Sequence, residues 1–250
     1  MNFDLISGKE CKRRTVLLYS GGMDSYIISK LERFDTLLFI DSKSKYSHIE
    51  REFLKKQHIK NLIIDERLDL SDVEYKSAMV PLRNLFFVAI GSYYGDRIVL
   101  GATSGDRSFD KDLTFASKLQ DLLSYVYNKS WWSDGREINV DLRYKEYTKK
   151  RLIDEYVEKG FSIGDLVEKS FSCYSPIDNH SCGTCKPCTR KWLNLLPYEN
   201  TKMTFHHNPE EYWKEKIKDI KKNLGDKILS RGKEDEEAVE IWEKYKGGEV

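Results

Sequence analysis

Two stretches of this sequence combine residue types and spacings that suit chemistry. The first is SGGMDS at residues 20–25, which follows the apolar run TVLLY at 15–19. Backbone N–H groups beside paired glycines, together with a helix N-terminus, attract anions and above all phosphate. Asp24 would repel a polyphosphate, so we expect Mg²⁺ between them. The alternative is a tight turn with a serine cap, but the complete pattern after a strand favours a phosphate loop.

Each member of this loop has an expected contribution to nucleotide binding. The hydroxyl groups of the two serines donate to phosphate oxygens, and the two glycines let the backbone approach closely without a clash at Cβ. The predicted nucleotide-binding residues are Ser20, Gly21, Gly22, Met23, Asp24 and Ser25.

The second stretch is a cysteine cluster with the spacing C-x8-C-x2-C-x2-C, formed by Cys173, Cys182, Cys185 and Cys188, while Cys11 stands apart. In a cytoplasmic protein such clustering favours a metal site over disulfides. Four thiolates complete a tetrahedral Zn²⁺ shell and leave no open position, so the metal would be structural. The alternatives are an iron–sulfur cluster and reactive or incidental thiols. His180 is interpreted as a solvated loop residue, because the cysteines already fill the shell.

Alternating strand and helix patterns must position these two stretches. Short β-prone runs lie at 15–19, 35–41, 60–68 and 96–103, with a fifth candidate at 136–144. Helical spacing is found at 23–31, 46–59, 83–95, 115–127 and 148–160. This alternation predicts an α/β fold with a mostly parallel sheet, in which ligands bind beyond the carboxyl ends of the strands.

Composition excludes several classes of protein. Charged residues make up 33% of the 250 residues and the net charge is +1, so no global basic surface for nucleic acid is expected. No apolar run approaches the roughly 20 residues of a membrane span. The N-terminus MNFDLISGKECKRR lacks the apolar core of a signal peptide. We therefore expect a soluble, cytoplasmic protein that acts on a small molecule, with neither a membrane nor nucleic acid as its direct partner.

The composition changes near residue 198. The predicted organisation is a catalytic domain at 1–197, which includes the zinc-binding segment 173–188, and a helical C-terminal extension at 198–250. Because charge runs are usually solvated faces, we expect two exposed helices in the extension, packed by Trp213 and Trp242.

Several motifs resemble those of one known family. SGGMDS resembles the PP-loop of the ATP pyrophosphatase superfamily, and with the cysteine cluster it resembles the 7-cyano-7-deazaguanine synthase (QueC/ExsB) family. The stretches VPLRN at 80–84, GATSGD at 101–106, TKK at 148–150, SFSCY at 170–174 and CGTCKPCTR at 182–190 are similar to further motifs of that family, in the same order. The resemblance covers about residues 14–196. It implies a Rossmann-like (HUP-type) doubly wound parallel sheet with a zinc-knuckle loop and a helical C-terminal tail.

The resemblance also implies an activity. Family members adenylate 7-carboxy-7-deazaguanine with ATP and use ammonia to form the amide and then 7-cyano-7-deazaguanine, releasing AMP and pyrophosphate. The implied cofactors are ATP, Mg²⁺ and a structural Zn²⁺, and a homodimer is implied because the family often dimerises. The matched motifs imply catalytic roles for Asp24, Arg83, Asp106 and Lys149, while Arg190 either contacts substrate or braces the cysteine loop.

Two motifs that the family uses near its substrate are different in this chain. RSFDKDLTF at 107–115 replaces YPDCRPEF, with Asp110 or Asp112 as the candidate for the family aspartate. DSKSKYSHIE at 41–50 replaces DYGQ and retains only Asp41 and Glu50. Three other functions therefore stay open: an amide-forming or conjugating deazapurine ligase, a PP-loop tRNA sulfurtransferase, and a nucleotide sensor without catalysis.

One aromatic pair has two interpretations. Trp131 and Trp132 are adjacent and large enough to stack on a planar base. Packing in the core or in an interface is the alternative for aromatic residues without further context.

Overall fold

The computed structural model describes residues 14–178, 180–199 and 202–248, so Cys11 and most of the N-terminal stretch lie outside the described residues. Five strands are β1 Thr15–Leu18, β2 Thr36–Ile40, β3 Leu62–Asp65, β4 Arg97–Val99 and β5 Asn139–Asp141. The α-helices are α1 Met23–Leu31, α2 Ser47–Lys56, α3 Arg83–Gly91, α4 Leu113–Val126, α5 Lys149–Glu158, α6 Ile163–Lys169, α7 Lys186–Leu195, α8 Pro209–Asn223 and α9 Lys233–Gly247. Short 3₁₀ turns lie at Ser71–Val73 and Phe109–Lys111.

The strands form one parallel sheet in the order β3-β2-β1-β4-β5, which confirms the predicted α/β fold. The chain runs outward from β1 through β2 to β3, and then returns to place β4 on the other side of β1. The strand order therefore reverses between β1 and β4, and in sheets of this kind ligands bind in the crevice at that point. SGGMDS follows β1 and GATSGD follows β4, so both motifs lie at this crevice.

Alternate side chains of the strands enter two cores on opposite faces of the sheet. Leu17, Leu37, Phe39 and Val99 pack with α1, α5 and α6 on one face. Neighbouring strand residues point the other way, where Ile98 and Val140 pack with α4 and Val16 and Leu38 contact the α3 side. Since both faces are covered, the strands read as continuous apolar runs, as expected for a parallel sheet.

The C-terminal extension forms two helices, as predicted, but each buries one face. Trp213, Ile217 and Ile220 of α8 pack with Ile241 and Trp242 of α9 in a core that also contains Leu193 of α7. The Trp213 indole N–H donates to the carbonyl oxygen of Thr189 at 2.9 Å. The extension therefore packs against the helix that carries Cys188.

None of the helices in the described ranges combines the length and apolar character that crossing a membrane requires.

Two helices of the described chain are absent from the sequence prediction. Helix α6 is only seven residues long, which is too short for a clear 3.6-residue period. Helix α7 begins inside the cysteine cluster, where Cys185 is its N-cap and Pro187 occupies its first turn. Proline suits that position because the first N–H groups of a helix have no intrahelical partner.

Candidate active site and metal centre

The SGGMDS loop joins the end of β1 to α1. Gly21 has a left-handed φ of +73°, and a Cβ there would lie 2.8 Å from a side-chain methyl of Leu54. The Ser20 hydroxyl accepts the Gly22 N–H at 3.2 Å and lies 3.3 Å from the hydroxyl of Ser25. Gly22 is the N-cap of α1 and offers no side-chain cap, so the first-turn N–H groups are available to an anion.

Asp24 and Lys149 form an ion pair across the crevice, between the first turn of α1 and the first residue of α5. Burial alone would lower the pKa of Lys149, but the carboxylates of Asp24, Glu234 and Asp106 together outweigh it and raise the pKa. The other oxygen of Asp24, Oδ1, is buried and has no hydrogen-bond partner among the described residues. An unsatisfied buried carboxylate oxygen beside a loop of free N–H groups suits a site for a hard cation such as Mg²⁺.

Asp106 is the last residue of the GATSGD segment, which follows β4. One carboxylate oxygen accepts the Thr103 N–H at 3.0 Å and the other accepts the Lys111 ammonium at 3.0 Å. Burial alone would raise the pKa of Asp106, but these two partners and the nearby Lys149 outweigh it and hold the pKa at about 2. Asp106 is therefore ionised at neutral pH and lies within the electrostatic field of Lys149.

Further contacts fix this segment. The ammonium group of Lys145 donates to the carbonyl oxygens of Thr103 at 3.2 Å and Asp106 at 2.6 Å. The hydroxyl of Ser104 is buried and, like Asp24 Oδ1, has no partner among the described residues. Two unpaired polar atoms thus lie in the first turn of α1 and in the loop that follows β4, where a ligand would complete their hydrogen bonding.

Arg83 lies apart from these groups. It begins α3, its guanidinium lies 5.9 Å from the ring centre of Phe87, and it contacts none of Asp24, Asp106 or Lys149 in the described structure. Its charge instead acts on Glu50, whose pKa is raised to about 7 because burial outweighs the attraction of Arg83. The structure therefore brings together three of the four predicted catalytic residues and leaves Arg83 beside Glu50.

An aromatic pair borders the Arg83 region. Tyr46 and Tyr174 stack with ring centres 4.1 Å apart and planes 5° from parallel. Burial raises the pKa of Tyr174 to about 12, with Glu50 adding to the shift and Arg83 opposing it. The sequence does not predict this pair, because its members are far apart along the chain and only Tyr174 lies in one of the matched motifs, SFSCY.

The structure separates the two candidates for the family aspartate. Asp112 caps α4 by accepting the N–H of Phe115 at 2.7 Å, which accounts for its presence. Asp110 instead accepts a hydrogen bond from the side-chain amide of Asn84 at 2.9 Å, so it is linked to the VPLRN motif.

Trp131 is 96% exposed and Trp132 is 52% exposed, so packing in the core is excluded for both.

Helix α9 adds residues to the site that the sequence analysis missed. Glu234 accepts a hydrogen bond from the Thr103 hydroxyl at 2.8 Å and forms an ion pair with Arg231 at 3.0 Å. The side chains of Glu234 and Arg231 are at least nine-tenths buried. Arg231 also donates to the carbonyl oxygen of Gly105 at 2.7 Å. One turn further, Glu237 accepts the Thr148 hydroxyl at 3.0 Å. The extension therefore contacts the segments that carry Asp106 and Lys149.

The four cysteines come together as predicted. Their sulfur atoms all lie within 4.8 Å of one another. Three of the sulfur–sulfur distances are 3.7 Å for Cys182–Cys188, 3.9 Å for Cys173–Cys185 and 3.1 Å for Cys185–Cys188. A tetrahedral site with Zn–S bonds of about 2.3 Å requires sulfur atoms about 3.8 Å apart. The cluster therefore fits a zinc knuckle.

The cysteine segment is attached to the SGGMDS loop. The N–H of Phe171, two residues before Cys173, donates to the carbonyl oxygen of Gly21 at 2.8 Å. The ring of Phe171 stacks on Phe53 of α2 with centres 5.1 Å apart. A metal at the cysteines would thus hold in shape a segment that packs directly on SGGMDS.

Comparison with known proteins agrees with this geometry. A family model described as "Queuosine biosynthesis protein QueC" matches residues 40–195. A 7-cyano-7-deazaguanine synthase of Methanosphaera stadtmanae is 23% identical over 213 residues, covering 72% of this chain and 92% of the relative. One of Methanobrevibacter smithii is 29% identical over 126 residues, covering 50% of this chain and 52% of the relative. One of Leptospira biflexa serovar Patoc is 26% identical over 133 residues, with 50% and 52% covered.

The extent of these matches decides the family. The chain spans most of the first relative and about half the length of the other two. The family model covers more than half of the 250 residues and includes the cysteine cluster, which confirms the resemblance found in the motifs. The chain belongs to the QueC family of queuosine biosynthesis proteins.

Proposed function

We propose that the protein is an ATP-dependent ligase that converts 7-carboxy-7-deazaguanine and ammonia into 7-cyano-7-deazaguanine through the amide, releasing AMP and pyrophosphate. The observation that carries the proposal is the Asp24–Lys149 pair beside SGGMDS, with one Asp24 oxygen unsatisfied. That arrangement is suited to binding a nucleoside triphosphate, with Mg²⁺ at Asp24. Bound there, Mg²⁺ would neutralise phosphate charge.

The reaction requires a good leaving group on the acid. A carboxylate oxygen of the substrate attacks the α-phosphorus, and the bond to pyrophosphate breaks. Ammonia then displaces AMP to give the amide. In a second cycle the amide oxygen is adenylated, and loss of AMP with the amide protons leaves the nitrile. The protein must align the acid with the α-phosphorus and stabilise charge on the phosphates.

The roles follow from the environment of each residue. The N–H groups of the loop and the hydroxyls of Ser20 and Ser25 bind phosphate oxygens. Lys149 stays protonated beside Asp24 and offsets negative charge on the nucleotide. Asp106 stays ionised, so its free lone pairs suit the amino group of the heterocycle. Arg83 has no carboxylate within ion-pair distance in the described chain, which leaves it available to the substrate acid or a phosphate.

An amide-forming ligase is the second candidate. The observation that favours it is the altered segment after Asp106, where Asp112 serves as a helix cap and only Asp110 is connected to the VPLRN motif. A site that binds the acid but not the adenylated amide would stop after the first cycle.

The test is to incubate the protein with 7-carboxy-7-deazaguanine, ATP, Mg²⁺ and ammonium and to follow products by mass spectrometry. The nitrile with two AMP per product supports the proposal, whereas accumulation of the amide supports the second candidate. Asp24→Asn should abolish AMP formation, and Asp72→Asn, at an exposed aspartate, should leave it unchanged. ATP binding without AMP formation from this acid would overturn both ligase assignments.

A further inference from the structure

A charged cavity lies where the C-terminal extension meets the body of the protein. It has a volume of about 100 Å³ and lies between α7, α8, the segment before α9 and the loop after β4. Five of its lining side chains are basic: Arg107, Lys186, Arg190, Lys216 and Arg231. The lining contains no residue of SGGMDS and neither Asp106 nor Lys149, so the cavity is separate from the proposed ATP loop.

The acidic residues of the lining do not balance these charges. Asp219 pairs with Lys216 at 3.3 Å. Asp235 makes its hydrogen bonds within its own segment. It accepts the backbone N–H of Arg231 at 2.7 Å and the hydroxyl of Ser230 at 3.4 Å. The carboxylate that pairs with Arg231 is Glu234, which does not line the cavity.

Three of the basic side chains are left without an acid. Within the part of the chain that the structure describes, Arg107 donates to the carbonyl oxygens of Ile228 and Ser230 and to no carboxylate. Lys186 and Arg190 have no carboxylate within ion-pair distance among the described residues. Like charges that converge on a cavity repel one another, and a bound anion removes this repulsion. Arginine forks are suited to phosphate in particular, because they donate two parallel hydrogen bonds.

We propose that this cavity binds a small phosphate-class anion, inorganic phosphate or pyrophosphate. The volume of about 100 Å³ is several times the roughly 10–15 Å³ that a cavity needs, on the same measure, to hold one water, which leaves room for a small anion of phosphate size. Two of the cations, Lys216 and Arg231, belong to the extension, and the other three belong to the body. The anion therefore bridges the two parts and stabilises the contact of α8 and α9 with α7. This inference goes beyond the ligase reaction and does not depend on it.

The experiment is calorimetric titration of the full-length protein with inorganic pyrophosphate, without Mg²⁺ and at low salt. We expect Lys216→Gln and Arg107→Gln each to weaken binding by about tenfold or more, since each removes a charged hydrogen bond. Lys218→Gln is the matched control, because Lys218 is exposed on the same helix and does not line the cavity. Pyrophosphate should also raise the melting temperature of the wild type more than that of Lys216→Gln.

Three results would overturn the proposal. Equal affinities of Lys216→Gln and Lys218→Gln would remove the cavity from the binding site. Loss of binding in Ser20→Ala/Ser25→Ala, with full binding in Lys216→Gln, would assign the anion to the SGGMDS loop alone. A single-stranded oligonucleotide that binds more tightly than pyrophosphate through Lys216 and Arg107 would identify a nucleic-acid surface instead. Failure of the ligase reaction leaves all of these readouts intact, because none uses the acid substrate.

Discussion

Glu234 should make a large contribution to the attachment of the C-terminal extension. Its carboxylate accepts the Thr103 hydroxyl and pairs with Arg231, and the side chains of the pair are only 7% and 10% exposed. Glu234→Ala leaves the Arg231 guanidinium buried beside an empty space. Removing one partner of a buried pair costs about 3–5 kcal/mol, most of it from the uncompensated charge that remains.

Glu236→Ala is the matched control for this substitution. Glu236 lies in the same first turn of α9 and is exposed, so the control also loses a negative charge near the helix N-terminus. That helix-dipole effect amounts to about 0.3–1 kcal/mol at an exposed position. Subtracting it leaves an expected difference between the two variants of about 2–5 kcal/mol.

The measurement combines urea denaturation with amide hydrogen exchange. If α9 separates locally before the whole chain unfolds, 3 kcal/mol corresponds to roughly 100-fold faster exchange in α9 at about 1.4 kcal/mol per factor of ten. Faster exchange should extend to the segment around Thr103, because Glu234 and Arg231 hold it. Equal stability and equal exchange of Glu234→Ala and Glu236→Ala would refute the reasoning and make the pair a surface contact.

Three further predictions concern the metal, a partly buried acid and a glycine in the left-handed region. The purified protein should contain one zinc per chain, and Cys182→Ser or a chelator should remove the metal and lower the melting temperature; a metal-free protein that melts unchanged would contradict this. Burial raises the pKa of Glu50 from 4.5 to about 7, so the folded state binds the extra proton between these values and stability falls as the pH rises through 7. Glu50→Gln should therefore be more stable than the wild type at pH 8, by up to about 3 kcal/mol, and should lose most of this advantage at pH 5; a difference independent of pH would exclude Glu50. Gly183→Ala should unfold at lower urea than Gly160→Ala, since both have φ of +81° but only at Gly183 would a Cβ meet a backbone oxygen, that of His207 at 1.9 Å; equal midpoints would rule out the steric argument.

The elements around the site could be predicted because their signals are local. The apolar positions Met23, Ile27, Ile28 and Leu31 predict a helix at 23–31, and the structure has α1 at Met23–Leu31. The cysteine spacing likewise predicts a cluster, because chain connectivity alone brings residues 182–188 together. In both cases the information lies within about 15 residues, which is the range over which periodicity and spacing act.

The partners of the catalytic candidates could not be predicted in this way. Lys149 and Asp24 are 125 residues apart, and Thr103 and Glu234 are 131 residues apart. No propensity or period relates such positions, because tertiary packing alone brings them together. Asp110 and Asp112 show the same limit, since both are aspartates in one short stretch and only their partners reveal which one is a helix cap.

The C-terminal extension shows why charge-rich helices are difficult to interpret from sequence. Trp213, Ile217 and Ile220 recur at helical spacing, which indicates a buried face but not what covers it. The structure supplies α7 as the partner, and α7 carries the last cysteine of the cluster. A metal bound by this cysteine would also hold in place the surface of α7 on which α8 packs. Helix α9 packs in the same core and contacts Thr103. The cysteine cluster and the crevice are therefore connected by contacts through the extension as well as through Phe171, although the family match ends at residue 195.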